Sequence, residues 1–170
     1  NENPPEAPTL EPLYNIVDRL AEVEKLPAAV NYGLSDATYR PIDRGVLSGK
    51  YDPGTEPPPD TRAGRKDVRI MQTEWREESL EIARKVAERA RAKGMSTVAF
   101  AIAWVLRNKL ISAAIVGPRT EEQWGAYLPA IDAQLDADDE AFIDSLVPPG
   151  HASTPGYTDP MYPIEGRRPL

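Results

Sequence analysis

Residues 113–124 read AAIVGPRTEEQW, and this stretch decides the fold because a glycine turn joins a short apolar strand to a helix. Thr120 and Gln123 have the spacing of a capping box, which predicts Thr120 as the N-cap. The free N–H groups and the positive dipole end at a helix start favour an anion. Arg119 lies just before the cap, where its guanidinium is able to bind a phosphate through two hydrogen bonds. The alternative is a surface arginine beside an ordinary cap.

Composition excludes several classes of function. The chain carries 20 Lys and Arg against 27 Asp and Glu, a net charge of −7, and has no long basic run. We therefore expect no nucleic-acid partner and no membrane partner. There is no cysteine and a single histidine, His151, which excludes disulfides, thiolate metal sites and histidine clusters. The apolar run at 98–106 is far shorter than the roughly 20 residues of a membrane helix. We expect a cytoplasmic protein without a bound metal.

Helices and strands are predicted to alternate along the chain. A helix is predicted over 74–93, because acidic residues fill its first half, basic residues fill its second half, and Gly94 follows. Ser96 is predicted to cap a deeply buried helix that runs to about Asn108, and Asp136 to open the last helix. Strands separated by such helices predict a parallel α/β fold.

We expect one domain over residues 1–170, with three irregular segments. The first, at 1–9, is rich in proline and is predicted to be disordered. The second is a loop over 51–72 that is rich in proline and glycine, long enough for a functional flap. The third is a tail over 148–170.

Five segments in order give the chain a resemblance to a known family. They read PLYNIVDR, YRPIDRGVLSGKY, STVAFAIAWVLRN, AIVGPRTEEQ and PPGHASTPGYTDPMYPIEGR. Their order and spacing resemble the C-terminal portion of an aldo-keto reductase. The resemblance implies a (β/α)8 barrel of which this chain supplies about strands 6 to 8. It also implies NADPH as the cofactor and aldehydes or ketones as substrates.

The resemblance also implies a set of cofactor-binding residues. Arg119 would bind the 2′-phosphate of NADPH, Gly117 would let the backbone approach, and Gln123 would reach the adenosine. Tyr39 would lie against the nicotinamide face. The other residues implied along the cofactor are Arg40, Pro41 and Ile42, with Lys50 and Arg62 near the pyrophosphate.

The same resemblance implies that catalysis needs more than this chain. The catalytic aspartate, tyrosine, lysine and histidine of the family precede the matched part, and no residue here corresponds to them. We therefore expect the chain alone to be inactive, and we expect it to pair with a missing N-terminal half or with itself. Departures from the family pattern are Glu11, Asp36, Arg40, Gly125 and Tyr127. Three functions stay open: part of a reductase, a non-catalytic nucleotide-binding or regulatory module, and a decayed structural remnant.

Overall fold

The structure, a computed structural model, describes residues 9–162. Within that range the chain forms three strands, six α-helices and three short 3-10 helices, the last at Leu20–Glu22, Asp43–Ser48 and Leu128–Ala130. The strands and α-helices are numbered below. In chain order they are β1 (Thr9–Leu10), α1 (Lys25–Asn31), β2 (Ser35–Tyr39), α2 (Val68–Thr73), α3 (Glu77–Ala92), α4 (Thr97–Arg107), β3 (Ala113–Ile115), α5 (Glu121–Tyr127) and α6 (Ala137–Leu146).

The strands form one parallel sheet in the order β1, β2, β3. Strand β2 is central, and its Ala37 and Tyr39 lie opposite Ala113 and Ile115 of β3. Helices lie in both crossovers between the strands, as parallel pairing requires. The prediction of a parallel α/β fold is confirmed.

The two faces of the sheet differ in burial. Side chains of a strand alternate between faces, and Asp36 and Thr38 of β2 both have 0% exposure. On the opposite face, Ala113 is exposed and Ile115 has 43% exposure. The hydrophobic core therefore lies on one side of the sheet only, and we call the other side the open face.

The cap predictions explain where two helices begin. The Ser96 hydroxyl accepts a hydrogen bond from the Ala99 N–H at 3.1 Å, and α4 follows it. Asp136 and Asp139 exchange side-chain and backbone bonds at the start of α6, which forms a full capping box. Helix α4 is buried at every position from Ala99 to Val105, as its apolar sequence predicts.

The helix predicted over 74–93 is wrong at its start. Helix α3 begins at Glu77, because Arg76 is extended with φ −121° and ψ 142°. The separate helix α2 precedes it, and the Asp67 carboxylate caps α2 by accepting from the backbone of Arg69 and Ile70. Helix α2 thus occupies the end of the segment predicted as a 51–72 loop. Thr9, which was included in the irregular 1–9 start, lies in β1, and residues 1–8 are outside the described range.

Arg19 joins the segment after β1 to the end of α6. Its side chain is 6% exposed and forms ion pairs with Glu22 at 2.9 Å and Asp144 at 2.7 Å. It also donates to the Val147 carbonyl at 2.7 Å, and its guanidinium lies 5.2 Å from the centre of the Trp104 ring. One buried cation therefore fixes two distant parts of the chain.

Asp36 is a buried charged residue that, unlike Arg19, has no hydrogen-bond partner among the described residues. Neither carboxylate oxygen has a hydrogen-bond partner among the described residues. Burial raises the pKa of Asp36, since a charged carboxylate is unfavourable away from water. The folded chain therefore binds more protons than the unfolded chain above about pH 4, where free aspartate titrates. Stability is lost as pH rises through this raised pKa.

We expect Asp36→Val to stabilise the fold by roughly 1 to 3 kcal/mol at neutral pH, because it removes an unpaired buried carboxylate. The gain should grow as pH rises above about 4. Thermal denaturation at several pH values measures both effects. Asp52→Val is the matched control, since Asp52 is exposed. Equal effects of the two substitutions would contradict the prediction.

Candidate cofactor-binding site

All nine predicted cofactor residues line one cavity of about 470 Å³, which we call the first cavity. It lies where β2 and β3 end, at the carboxyl edge of the sheet, where ligands of parallel α/β folds bind. The residues come from the segments after both strands and from α5. They are Tyr39, Arg40, Pro41, Ile42, Lys50, Arg62, Gly117, Arg119 and Gln123.

The turn before α5 has the predicted cap with one difference. The Thr120 hydroxyl accepts from the Gln123 N–H at 3.2 Å, so Thr120 is the N-cap. The Gln123 side-chain oxygen accepts from the backbone N–H of Arg119 at 2.7 Å, instead of from Thr120 as in a capping box. This bond holds Gln123 over the turn. Within residues 9–162, the Arg119 guanidinium makes no hydrogen bond or ion pair, which leaves its donors available.

Gly117 presents open space to the first cavity. A Cβ atom built on Gly117 would meet no atom of the described residues within 4 Å, and the φ of Gly117 lies outside the left-handed region. The glycine is therefore required neither by backbone conformation nor by packing in this chain. A ligand that approaches the backbone closely is a physical reason for it.

The first cavity concentrates positive charge in an acidic protein. Its wall carries five cations, and none of its lining residues within the described range is acidic. Arg62 has a loose ion pair with Asp67 at 3.7 Å, and the Lys50 ammonium lies 5.1 Å from the Tyr51 ring. The remaining cations are Arg40, Arg44 and Arg119. This wall is suited to a ligand with several negative charges.

The loop after β2 has an unusual backbone. Arg40, Asp43 and Arg44 have φ values of 59°, 49° and 51°, in the left-handed region that is unfavourable for residues other than glycine. Buried side chains hold it there. Asn15 donates to the Arg40 carbonyl at 3.1 Å and to the Asp43 carboxyl at 3.3 Å. Such strain is frequent at functional sites.

Glu74 binds two arginines of the same loop. Its carboxylate is 4% exposed and accepts from Arg40 at 2.8 Å and from Arg44 at 3.0 Å. The nearby Asp43 is fully enclosed, and burial together with the Glu74 charge raises the pKa of Asp43 to about 8. Asp43 is therefore protonated at neutral pH, and Glu74 remains the counter-ion of the two arginines.

Sequence reasoning missed Arg44 and Glu74. Arg44 stands four residues after Arg40 and repeats its charge, which was the available signal. Glu74 was assigned to the start of the helix predicted over 74–93, but it follows α2 and its carboxylate binds Arg40 and Arg44 of the loop.

The departures noted in the sequence lie in different places. Glu11 is exposed just after β1 and does not line the first cavity. Tyr127 ends α5 and lines the first cavity, and burial raises its pKa. Gly125 lies inside α5 with no atom near its missing Cβ.

Residues 9–162 contain neither a candidate membrane span nor a candidate metal site. No helix there is both long enough and apolar enough to cross a membrane. No group of three histidine, cysteine or acidic side chains in the same range is arranged to hold a metal ion.

Proteins with similar sequences are known. The uncharacterized oxidoreductase YrpG of Bacillus subtilis (strain 168) is 30% identical over 142 residues, which is 84% of this chain and 41% of that protein. A probable voltage-gated potassium channel subunit beta of Arabidopsis thaliana is 32% identical over 126 residues, or 72% of this chain and 38% of that protein.

A solved structure shares the architecture. The glycerol dehydrogenase AKR11B4 from Gluconobacter oxydans superposes with a TM-score of 0.68 at 26% identity, over 93% of this chain and 47% of that one. This chain therefore spans less than half the length of these relatives. The model of the aldo/keto reductase family matches residues 3–148. The chain belongs to the aldo/keto reductase family.

Proposed function

We propose that this chain is the C-terminal, cofactor-binding part of an NADPH-dependent aldo-keto reductase. The observation that carries the proposal is the first cavity, which brings nine residues from three separate segments to one cationic wall. The oxidoreductase YrpG and the glycerol dehydrogenase, which match most of this chain, support a reaction of the same class.

The residues fit a nucleotide that carries several phosphates. Arg119 has unused donors beside a helix start, and Lys50 and Arg62 add positive charge along the same wall. Gly117 leaves room for a phosphate or ribose against the backbone. In this proposal Arg119 binds the 2′-phosphate, Lys50 and Arg62 bind the pyrophosphate, and Tyr39 faces the nicotinamide. The bound cofactor supplies the hydride of the reaction.

The proposal places the three strands at about positions 6 to 8 of a (β/α)8 barrel. Two observations support it: the open face of the sheet, where Ile115 is exposed, and strand edges on β1 and β3 that lack neighbours among the described residues. Unpaired edges favour pairing with another chain. We propose that either the N-terminal half of a barrel or a second copy of this chain covers the open face.

Calorimetric titration with NADPH and with NADH tests the proposed function. We expect binding of NADPH, with weaker binding of NADH, because only NADPH carries the 2′-phosphate. If neither nucleotide binds to this chain, nor to a protein in which an N-terminal half of the family is supplied, the proposed function is wrong.

We expect Gly117→Ala to weaken NADPH binding while leaving stability unchanged. The new methyl group would enter space that is open in this chain and that the proposed ligand fills, and its backbone conformation is allowed. Calorimetric titration measures the binding loss, and thermal denaturation measures stability. The matched control is Gly125→Ala, which also adds a methyl group in open space but lines neither cavity. Equal affinities for wild type and Gly117→Ala would contradict the assigned role.

We expect the purified chain alone not to reduce 4-nitrobenzaldehyde with NADPH. Carbonyl reduction requires a proton donor, and the resemblance implies that the catalytic residues of the family precede the part that this chain matches. Absorbance of NADPH over time measures the reaction. Turnover above the buffer rate that survives a second purification would show that the chain contains its own catalytic group.

The alternative is a nucleotide-binding module without catalysis. The similarity to a potassium channel subunit beta favours it, since that protein is named as a subunit of a larger assembly. Tight NADPH binding together with inactivity, even when an N-terminal half is supplied, would favour this module. Loss of all nucleotide binding would favour a structural remnant, for which the unpaired Asp36 is the supporting observation.

A further inference from the structure

A second cavity of about 590 Å³ lies beside the first. Its wall is built from the segment after β1, the start of α1, the loop after β2 and the tail. The two cavities share Tyr39, Arg40 and Arg44. Lys50, Arg62 and Arg119 line the first cavity only. A ligand group in the second cavity would therefore meet Arg40 and Arg44 without meeting the other three cations.

Arg40 and Arg44 are held in place by Glu74 but keep unused hydrogen-bond donors. Each donates one nitrogen to the same Glu74 oxygen, Arg40 through Nη1 and Arg44 through Nε. Their other guanidinium nitrogens have no hydrogen bond within the described part of the chain. Both side chains are about one fifth exposed, at 22% and 20%, so they are reachable from solvent. Two cations on one buried carboxylate leave a net positive charge at the boundary of the cavities.

The remaining charged groups of the second cavity add one more available cation. Arg69 is neutralised by Asp159, which it binds through two nitrogens at 2.5 and 3.2 Å. Lys25 has no ion pair with a residue of the 9–162 range. Asp18 also lines this wall, where its carboxylate accepts a hydrogen bond from the Leu20 N–H at 3.3 Å and forms no ion pair with Lys25. The wall thus offers Arg44 and Lys25 to a ligand.

We propose that Arg44 and Lys25 form an anion-binding subsite in the second cavity, which takes the carboxylate or phosphate group of the carbonyl substrate. This inference rests on the proposed function for the identity of the ligand as a substrate. It assigns the substrate to anionic aldehydes and ketones. Because Tyr39 lines both cavities, the nicotinamide end of the cofactor and the substrate then lie side by side next to its ring, in the direct contact that hydride transfer requires.

Binding of small anions to the full chain tests the subsite. The probes are inorganic phosphate, lactate and the neutral lactamide, which has the shape of lactate without its charge. Each is titrated by calorimetry with and without saturating adenosine 2′,5′-bisphosphate, which is chosen to occupy the phosphate-binding part of the first cavity. We expect one or both anions to bind in the presence of the bisphosphate, and lactamide to bind at least tenfold more weakly than lactate. The tighter of phosphate and lactate identifies the preferred group.

Variants connect that binding to the named residues. Arg44→Gln and Lys25→Gln should each weaken anion binding by about tenfold, as expected for loss of a charge-assisted hydrogen bond. Lys85→Gln is the matched control, because Lys85 is exposed on α3 and lines neither cavity. Lys25→Gln alters an exposed residue and so keeps the test valid if Arg44→Gln does not fold.

Three outcomes would overturn the subsite. They are anion binding that the bisphosphate abolishes, measurable binding of lactamide that is as tight as that of lactate, and unchanged binding in both variants. Failure of the chain to bind the bisphosphate at all counts against the proposed function alone. In that case the titrations without bisphosphate, in wild type and in the variants, still decide whether Arg44 and Lys25 bind the anion.

Discussion

Arg119→Ala is expected to weaken NADPH binding by roughly ten- to a hundredfold and to leave NADH binding nearly unchanged. The Arg119 guanidinium has no partner among residues 9–162, so all of its side-chain donors are available for the 2′-phosphate. Charge-assisted hydrogen bonds of this kind are worth roughly 1.5 to 3 kcal/mol, and each 1.4 kcal/mol is about tenfold in affinity. Calorimetric titration of both nucleotides, on this chain or on a version fused to an N-terminal half, measures the difference.

Two further variants separate phosphate recognition from support of the loop. Arg119→Lys should recover part of the affinity, because it keeps the charge but loses the planar pair of donors. Arg91→Ala is the matched control, since Arg91 is exposed on α3 and far in sequence from the turn. If Arg119→Ala weakens NADPH and NADH equally, the arginine supports the turn and does not recognise the 2′-phosphate.

Arg19→Met is expected to lower the free energy of unfolding by about 3 to 5 kcal/mol, the usual cost of removing one partner of a buried ion pair. The substitution removes the arginine donor of the Val147 carbonyl and the cation beside the Glu22 carboxylate, which is 17% exposed. Glu22 keeps its hydrogen bonds from the Tyr14 hydroxyl and the Gly150 N–H. Methionine retains much of the side-chain volume beside Trp104, so the loss reports on charge and hydrogen bonds rather than on a cavity. Denaturant unfolding followed by tryptophan fluorescence measures it.

The control for Arg19 is an ion pair on the surface. Arg107 and Glu140 are paired at 3.0 Å, with side chains 45% and 38% exposed. Arg107→Met should cost no more than about 1 kcal/mol, because water screens exposed pairs. A loss at Arg19 as small as the loss at Arg107 would show that the chain relaxes around the vacated site.

The parts of the fold that the sequence predicted are those set by local chemistry. Ser96, Thr120 and Asp136 were each identified as N-caps from residue type and spacing, and each accepts the expected backbone hydrogen bond. The parallel sheet followed from strands separated by helices. For the cavity, the resemblance to a family supplied the residues, and the structure brings all nine to one wall.

The parts that sequence missed depend on contacts between distant segments. Glu74 has the composition of a helix start, but its pairing with Arg40 and Arg44 comes from a loop about 30 residues earlier, at separations of 34 and 30 residues. No local pattern encodes such a pairing. Asp67 lies in the segment that was predicted as a 51–72 loop, and its capping of α2 was not recognised there.

Arg44 has a strained, left-handed backbone, and this strain affects which residue selection favours at the position. An L-residue with φ of 51° is strained, by about 1 to 2 kcal/mol relative to a right-handed conformation. Glycine at this position would remove that cost. It would also remove the guanidinium from both cavity walls. It would further leave the buried Glu74 carboxylate with Arg40 as its one remaining arginine partner, which lowers stability. Selection for thermal stability alone therefore acts on Arg44 in two opposite directions, whereas selection on a ligand favours the arginine.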